Sequence, residues 1–365
     1  MLESYLEFNL PILNSDATGR ANINAAGRAT RYSTSGTVYT WKVGGTWDTP
    51  LNGIRLRAVT SRDVRAPNLS ELFAAPISVL VPNFTNPFTN GSVNIFQNTI
   101  GNADLKPETA RNTEVGIVLA RPKWLPGFSV SVDYYNIKVD GLISALTPQQ
   151  VVNLCFSGVS VTCSAFDLSG TNAPPFVNVQ SFNLASIKTD GFDVEASYQM
   201  TRPLGLPGNL TLRGLGTNVR KFVTDTGLPG TVPIDTAGAN SGATPKWKWL
   251  AIETWDGGAY SLTLQQRWFS DGVIGNQYVQ CAAGSCPVST VNNPTIDNNF
   301  MPGAFYFDVG GSVNLANKLT AYFKVDNLFN RDPTPSPQTN TGIDLNPALY
   351  DTLGRFYRVG LRFNF

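Results

Sequence analysis

The sequence predicts an all-β chain: a transmembrane antiparallel up-and-down β-barrel, present as a partial barrel of about 13 strands. Three observations predict it. Apolar and polar residues alternate with a period of two in segment after segment along the chain. The connections between the alternating segments are short and long by turns. Only 15% of the residues are charged, against about 25% in an average soluble domain, while 42% are hydrophobic and 11% aromatic. With 33 glycines and 24 prolines the chain is rich in turn formers, and its aromatic content sets it apart from a disordered one.

The alternation starts at once. Leu6, Phe8, Leu10 and Ile12 share one face and Tyr5, Glu7 and Asn9 the other, so the chain opens in mid-strand, as part of something larger would. Tyr39, Trp41, Val43 and Trp47 oppose Val38, Thr40, Lys42, Gly44 and Thr46. Phe128, Val130, Val132 and Tyr134 alternate with Ser129, Ser131 and Asp133, and Phe192, Val194, Ala196, Tyr198 and Met200 with Asp193, Glu195, Ser197 and Gln199. Tyr260, Leu262 and Leu264 form the next greasy face, followed by Phe305, Phe307 and Val309. Further strands are expected near 21–32, 53–62, 111–121, 208–222, 246–256 and 318–330, with the last at 354–365. The segment 246–256 is the weak member, because Trp247, Trp249, Leu250 and Ile252 do not share a face.

Short connections follow the odd-numbered segments, at 15–20, 48–52, 122–127, 201–207, 257–258 and 316–317. Long ones follow the even-numbered segments, at about 63–110, 141–186, 223–245, 270–303 and 331–353, and only the second segment breaks the rule. One rim of short turns and one of long loops is the pattern of a barrel whose two ends face different compartments. The polar face carries Ser, Thr, Gly and Asn rather than the Lys and Glu of a soluble sheet, and Trp41, Trp47, Trp247, Trp249, Trp268, Tyr260 and Tyr357 fit interfacial girdles. An ordinary sandwich core is the bland alternative for these aromatics.

Composition excludes whole classes of function. No run of apolar residues approaches the roughly 18 that a membrane helix needs, and the acidic start with Glu3 and Glu7 is not a secretory leader. A net charge of +1 gives no electrostatic case for nucleic-acid binding. The absence of histidine removes Ser-His-Asp and Cys-His catalysis and His-ligated zinc, and no phosphate loop or nucleophile elbow is present. An enzyme is the least expected class, and no cofactor is expected.

The final segment, GRFYRVGLRFNF, places Tyr357, Val359, Leu361, Phe363 and the terminal Phe365 on one face. It resembles the carboxy-terminal strand of bacterial outer-membrane proteins, whose last aromatic is read by the barrel-assembly machinery. Internal stretches narrow the likeness: RAVTSRDVRAPNLSELF from Arg57, NADLKPETARNTEVGI from Asn102, DGFDVEASY from Asp190 and VDNLFNRDP from Val325. In this order and spacing the chain resembles the carboxy-terminal barrel part of TonB-dependent receptors from end to end. Val64 departs from the pattern, where the family commonly has an aromatic. The resemblance implies a barrel of about 22 strands, so that a plug domain with its coupling box and about nine strands are expected to lie outside these 365 residues, all of which belong to one barrel domain. It also implies partners: outer-membrane lipid, the inner-membrane TonB complex acting through the plug, and a small-molecule or oligosaccharide ligand taken up actively. The alternatives are a passive porin-like or structural outer-membrane barrel, which has no upstream plug, and a secreted carbohydrate-binding module, which is soluble without detergent. Haem is disfavoured as cargo for want of histidine ligands.

Within this frame, Asn68 and Glu71 read as the capping box of a short helix after Pro67. Cys155 with Cys163 and Cys281 with Cys286 each share a long loop, so two local disulfides are expected on the oxidising side. A four-thiolate zinc site is disfavoured by those spacings. Charges on the polar face, among them Arg57, Asp193, Glu195, Arg213, Arg267, Asp308, Asp326, Arg358 and Arg362, read as a mutually neutralising inner lining. Phe84, Phe88, Phe96, Phe156, Phe176, Tyr278, Phe300 and Tyr350 are candidates for a ligand-facing aromatic surface on the long loops.

Overall fold

The computed structural model describes residues 1–171, 174–229, 231–290, 293–316, 318–335 and 345–363. A single large antiparallel sheet dominates it, a meander in which each strand lies beside its neighbours in sequence. Its strands are β1 (Leu2–Ser15), β2 (Gly19–Tyr32), β3 (Gly36–Asp48), β4 (Ile54–Arg65), β5 (Glu108–Ala120), β6 (Phe128–Ala145), β7 (Ser181–Thr201), β8 (Asn209–Asp225), β9 (Trp247–Asp256), β10 (Tyr260–Phe269), β11 (Ala304–Ala316), β12 (Leu319–Asp326) and β13 (Phe356–Phe363). A further short strand, Ile234–Asp235, pairs with β8. The sheet runs from β1 at one edge to β13 at the other, and no pairing joins the two edges among the described residues.

Registry explains why the alternation has to be so regular. Trp47 pairs with Leu56, and the row continues through Ile117, Val132, Val194, Gly216, Trp249 and Trp268 to Phe305. It starts beside the short turn after β3 and ends beside the long loop before β11. A row of pairs that climbs from one rim to the other is the stagger of strands tilted against a barrel axis. The neighbouring row carries the other face: Thr46, Arg57, Gly116, Asp133, Asp193 and Thr217.

That second row identifies the inner face. Arg57 on β4 reaches Asp133 on β6 with bonds of 2.7 and 2.5 Å, crossing over β5. Strands two apart are separated by about 10 Å, a gap that an arginine and an aspartate bridge over a glycine, and a polar, ion-paired row of this kind is what lines the inside of a barrel. The intervening residue is Gly116, where an added Cβ would lie 1.8 Å from the Asp133 carboxylate. Tyr39, Trp41 and Val43 belong to the opposite, convex face, and they are 63%, 42% and 47% exposed. The weak segment 246–256 forms a strand like the rest: Trp247 and Trp249 point outward, while Leu250 and Ile252 share the inner face with Arg213 and Arg267.

Both rims of the apolar face carry aromatics. Beside the short turns, Trp47 Nε1 donates to the Thr18 carbonyl (3.0 Å) and Trp255 Nε1 to that of Pro207 (3.1 Å), with Tyr260 5.3 Å from the Trp255 ring. Toward the long loops, Trp249 packs against Trp268 and Phe305 at 6.1 and 5.7 Å. Such rings place an apolar body against the sheet and a polar tip toward the rim. Trp41 lies in the middle of β3 rather than at an end.

Two elements differ from expectation. The connection expected at 141–186 is shorter, because β6 and β7 extend to 18 and 21 residues and stay paired from Ser181↔Ala145 downward, through a register shift at Ala185. The strand expected over 318–330 stops at Asp326: Asn327 and Asn330 both adopt positive φ, and Asn327 bonds Arg331 through its carboxamide.

Candidate functional site

Most of the buried apolar side chains lie in the long connections, which pack into a crown above the sheet, and the rest lie on the strands. One cluster joins Phe84 and Ile95, Val151, Val152 and Leu154, Val177 and Val179, and Leu228, thereby uniting three connections. A hairpin, Ile77–Asn86 with Gly91–Thr99, supplies the first pair, and the parallel addition of Phe176–Val179 extends it. The second cluster gathers Phe269, Ile274, Met301, Ala304, Tyr306 and Tyr350.

Each piece is fixed locally. Helix α1 (Leu69–Phe73) carries the capping box read from the sequence: Glu71 N–H donates to Asn68 Oδ1, and Asn68 N–H to Glu71 Oε2, both at 2.8 Å. Glu71 also meets Arg65, whose guanidinium grips Glu108 at 2.6 and 2.8 Å, while Ile143 N–H donates to Glu108. Helix α2 (Pro148–Phe156) has a second capping box, Thr147 with Gln150, and proline in its first turn. Sequence reading missed this helix, although Thr-Pro-Gln-Gln before an apolar run is the signal that marks it. Cys155 and Cys163 are joined across the end of α2, with Cα atoms 5.0 Å apart, and Cys281 and Cys286 within the 270–303 connection at 5.2 Å.

The candidate aromatics separate into two groups. Phe88 and Phe156 are 51% and 58% exposed and meet edge to face at 5.2 Å; Phe96 and Phe300 are also exposed. Phe84 and Tyr350, in contrast, are core residues. Hairpin register turns Phe84 inward against Ile95, and the Tyr350 hydroxyl donates to the Pro302 carbonyl (2.5 Å) while its ring packs 5.1 Å from Phe269. Neither presents a face to a ligand in this arrangement. Tyr278 packs partly buried against the second cluster, and Phe176 is half-buried.

On the inner face the charges pair. Arg213 meets Glu195 at 2.8 Å, Arg267 meets the buried Asp308 at 3.0 Å and Asp351 at 3.7 Å, and Lys324 and Arg358 both reach Asp326. Asp308 also accepts from Gln265 and from the Asn327 N–H, so it ties the last long connection to the wall. Among the described residues no group of three or more His, Cys, Asp or Glu side chains is placed to hold a metal ion. On β13, Tyr357, Val359, Leu361 and Phe363 line the convex face, while Arg358 and Arg362 sit over Phe356 and Tyr322. Phe365 lies outside the described residues.

A family model described as the TonB-dependent receptor-like β-barrel matches residues 2–328. Among solved structures, a mutant of the ferric enterobactin receptor PfeA from Pseudomonas aeruginosa is similar with a TM-score of 0.64 at 17% identity, over 99% of this chain and 44% of that one. The siderophore receptor PirA from Acinetobacter baumannii gives 0.65 at 15% identity, over 100% and 45%. The copper transporter OprC gives 0.51 at 16%, over 99% and 47%. The chain spans less than half the length of these structures, and at such identities the likeness bears on fold alone. No curated protein matches it.

Proposed function

The chain belongs to the TonB-dependent receptor-like β-barrel family, and from that premise we propose that it serves as barrel wall and outer loops of an active outer-membrane importer. The importer binds a scarce solute, such as a siderophore, a carbohydrate or a metal complex, at the crown. It releases that solute inward when the inner-membrane TonB complex pulls on a plug. The crown faces the exterior, the convex wall faces lipid, and the aromatic strand β13 is the part addressed by the barrel-assembly machinery. The chain's own residues do no covalent chemistry in this scheme: they bind, shape the passage and keep its lining neutral.

One observation carries the reading. The wall leaves a continuous apolar face uncovered between two aromatic rims, whereas the crown gathers apolar side chains into buried clusters as a water-soluble domain does. A molecule with both surfaces fits a membrane on one and water on the other. The inner lining of paired charges supports a passage rather than a packed core.

The test is uptake of labelled ferric siderophores, copper and oligosaccharides by cells producing the whole receptor, with and without TonB. The expected outcome is accumulation of one solute class that needs both proteins. Entry of all solutes in proportion to size, indifferent to TonB, would make the barrel a passive channel instead.

A further inference from the structure

We infer that the crown contains a binding site for an uncharged, mainly apolar solute, or for the apolar portion of a larger one. This inference deepens the importer reading and rests on it for the side from which the ligand arrives. A cavity of about 410 Å³ lies between α2, the loop end of β7 and the 226–246 connection, within the range of about 300–1,000 Å³ typical of small-molecule sites. Its walls include Leu154, Phe182, Leu184 and Leu228, and no Asp, Glu, Lys or Arg lines it. Leu184 is 41% exposed, so this wall is open to solvent.

Two carboxamides face the cavity, those of Asn178 and Gln180. Asn178 accepts one bond from Asn98 (3.0 Å) through its oxygen. Gln180 also lines the cavity, and its carboxamide can offer both a donor and an acceptor to a guest. Apolar walls with a few convergent neutral polar groups select a ligand by shape and by one or two hydroxyl or carbonyl groups.

Charge argues the same way. The connections 66–107, 146–180 and 226–246, which build the cavity, carry Glu71, Asp104, Asp167 and Asp235 against Lys106 and Lys246, with no arginine. Neither lysine lines the cavity. An anionic chelate entering it would shed its hydration and gain no counter-charge, which is unfavourable, whereas an uncharged guest loses nothing of the kind. The Cys155–Cys163 bridge straps the Leu154 end of α2 to the 160–165 turn, so it holds two parts of the wall together.

The experiment uses native outer-membrane vesicles holding the receptor, with an uncharged alkyl-benzophenone photoprobe and a carboxylate-bearing analogue of equal size. Labelled peptides are mapped by mass spectrometry. Saturable labelling within 146–184 or 226–229 by the neutral probe is expected, with the carboxylate analogue about tenfold weaker or more. Leu154→Trp, which fills the cavity, should abolish it, and Gln180→Ala should weaken it by about threefold or more. An intact Cys155–Cys163 bridge in each variant reports that the loop has folded; where Leu154→Trp prevents this, Gln180→Ala decides. Equal labelling by the carboxylate analogue, labelling confined to wall strands outside 181–184, or indifference to both substitutions would overturn the inference. TonB-independent uptake with cavity labelling intact would sink the importer reading alone, and TonB-dependent uptake without labelling would sink this site alone.

Discussion

The wall and the crown are built from the same apolar residues and treat them in opposite ways. On the wall, Val115, Ile117 and Val132 are 53%, 48% and 37% exposed; in the crown, Ile95, Val152 and Val177 are each 0% exposed. The crown is held as water-soluble domains are, by removing apolar area from water at about 25 cal/mol per Å². The wall gains nothing of this kind from its convex face. What holds it is the ladder of backbone hydrogen bonds, which runs from strand to strand through a few register shifts and which a lipid surrounding would make obligatory, since no water would be there to satisfy a stray amide. The difference teaches where the solvent changes. On the outward face of β5, Leu119, Ile117 and Val115 give way to Thr113, Arg111 and Thr109, and the crown starts above them.

The comparison breaks most sharply with a charge on the convex face. Ile117→Arg should cost about 2–4 kcal/mol if that face meets hydrocarbon, and no more than about 0.5 kcal/mol if it meets water. Urea titration of the receptor folded in vesicles, followed by its gel mobility with and without heating, reads the difference. A near-neutral result would remove the basis for placing lipid against this row.

Within the crown the corresponding change is a truncation. Val152→Ala removes two buried carbons from the first cluster and should cost about 2 kcal/mol, the transfer energy plus a cavity. Amide exchange should quicken over 148–156 and 91–99, whose side chains meet there, and stay unchanged over β5 and β6. A loss spread evenly through wall and crown would mean that the two do not open separately.

Much of the wall was legible in the sequence and little of the crown, for one physical reason. A strand writes its burial into adjacent residues, so Phe128, Val130 and Val132 announce their face within five positions. The crown's contacts join Ile95, Val152 and Leu228, far apart in the chain and without a shared period. Phe84 and Phe88 look alike in sequence; only the hairpin register sends one inward and leaves the other against Phe156. Local chemistry survives in such regions where it is self-contained, as with the Asn68–Glu71 cap and the two close cysteine pairs. The stagger that brings Arg57 over Gly116 to Asp133 was not legible either, because it depends on registry between three strands.

The smallest effect lies at the seam between the two regions. Glu108 begins β5, above the apolar band, with its side chain 7% exposed. Burial by itself pushes its carboxyl up, but the Arg65 guanidinium and the Ile143 N–H outweigh this and hold it below the ordinary carboxylate range. A carboxyl depressed in the folded state contributes stability above its unfolded value, about 4.3, and that contribution is lost as pH falls through the lower folded value. The seam should therefore be indifferent to pH from neutrality down to about 4.3, and loosen only in stronger acid. Because Arg65 is 47% exposed, the effect should stay below about 1 kcal/mol. The protection of the Ile143 amide, its exchange relative to the intrinsic rate at each pH, checks it: protection should fall in acid, and in Glu108→Gln it should already be lower at neutral pH and lack the acid step. An acid step that survives in Glu108→Gln would assign the titration to another group and leave wall and crown joined there by packing alone.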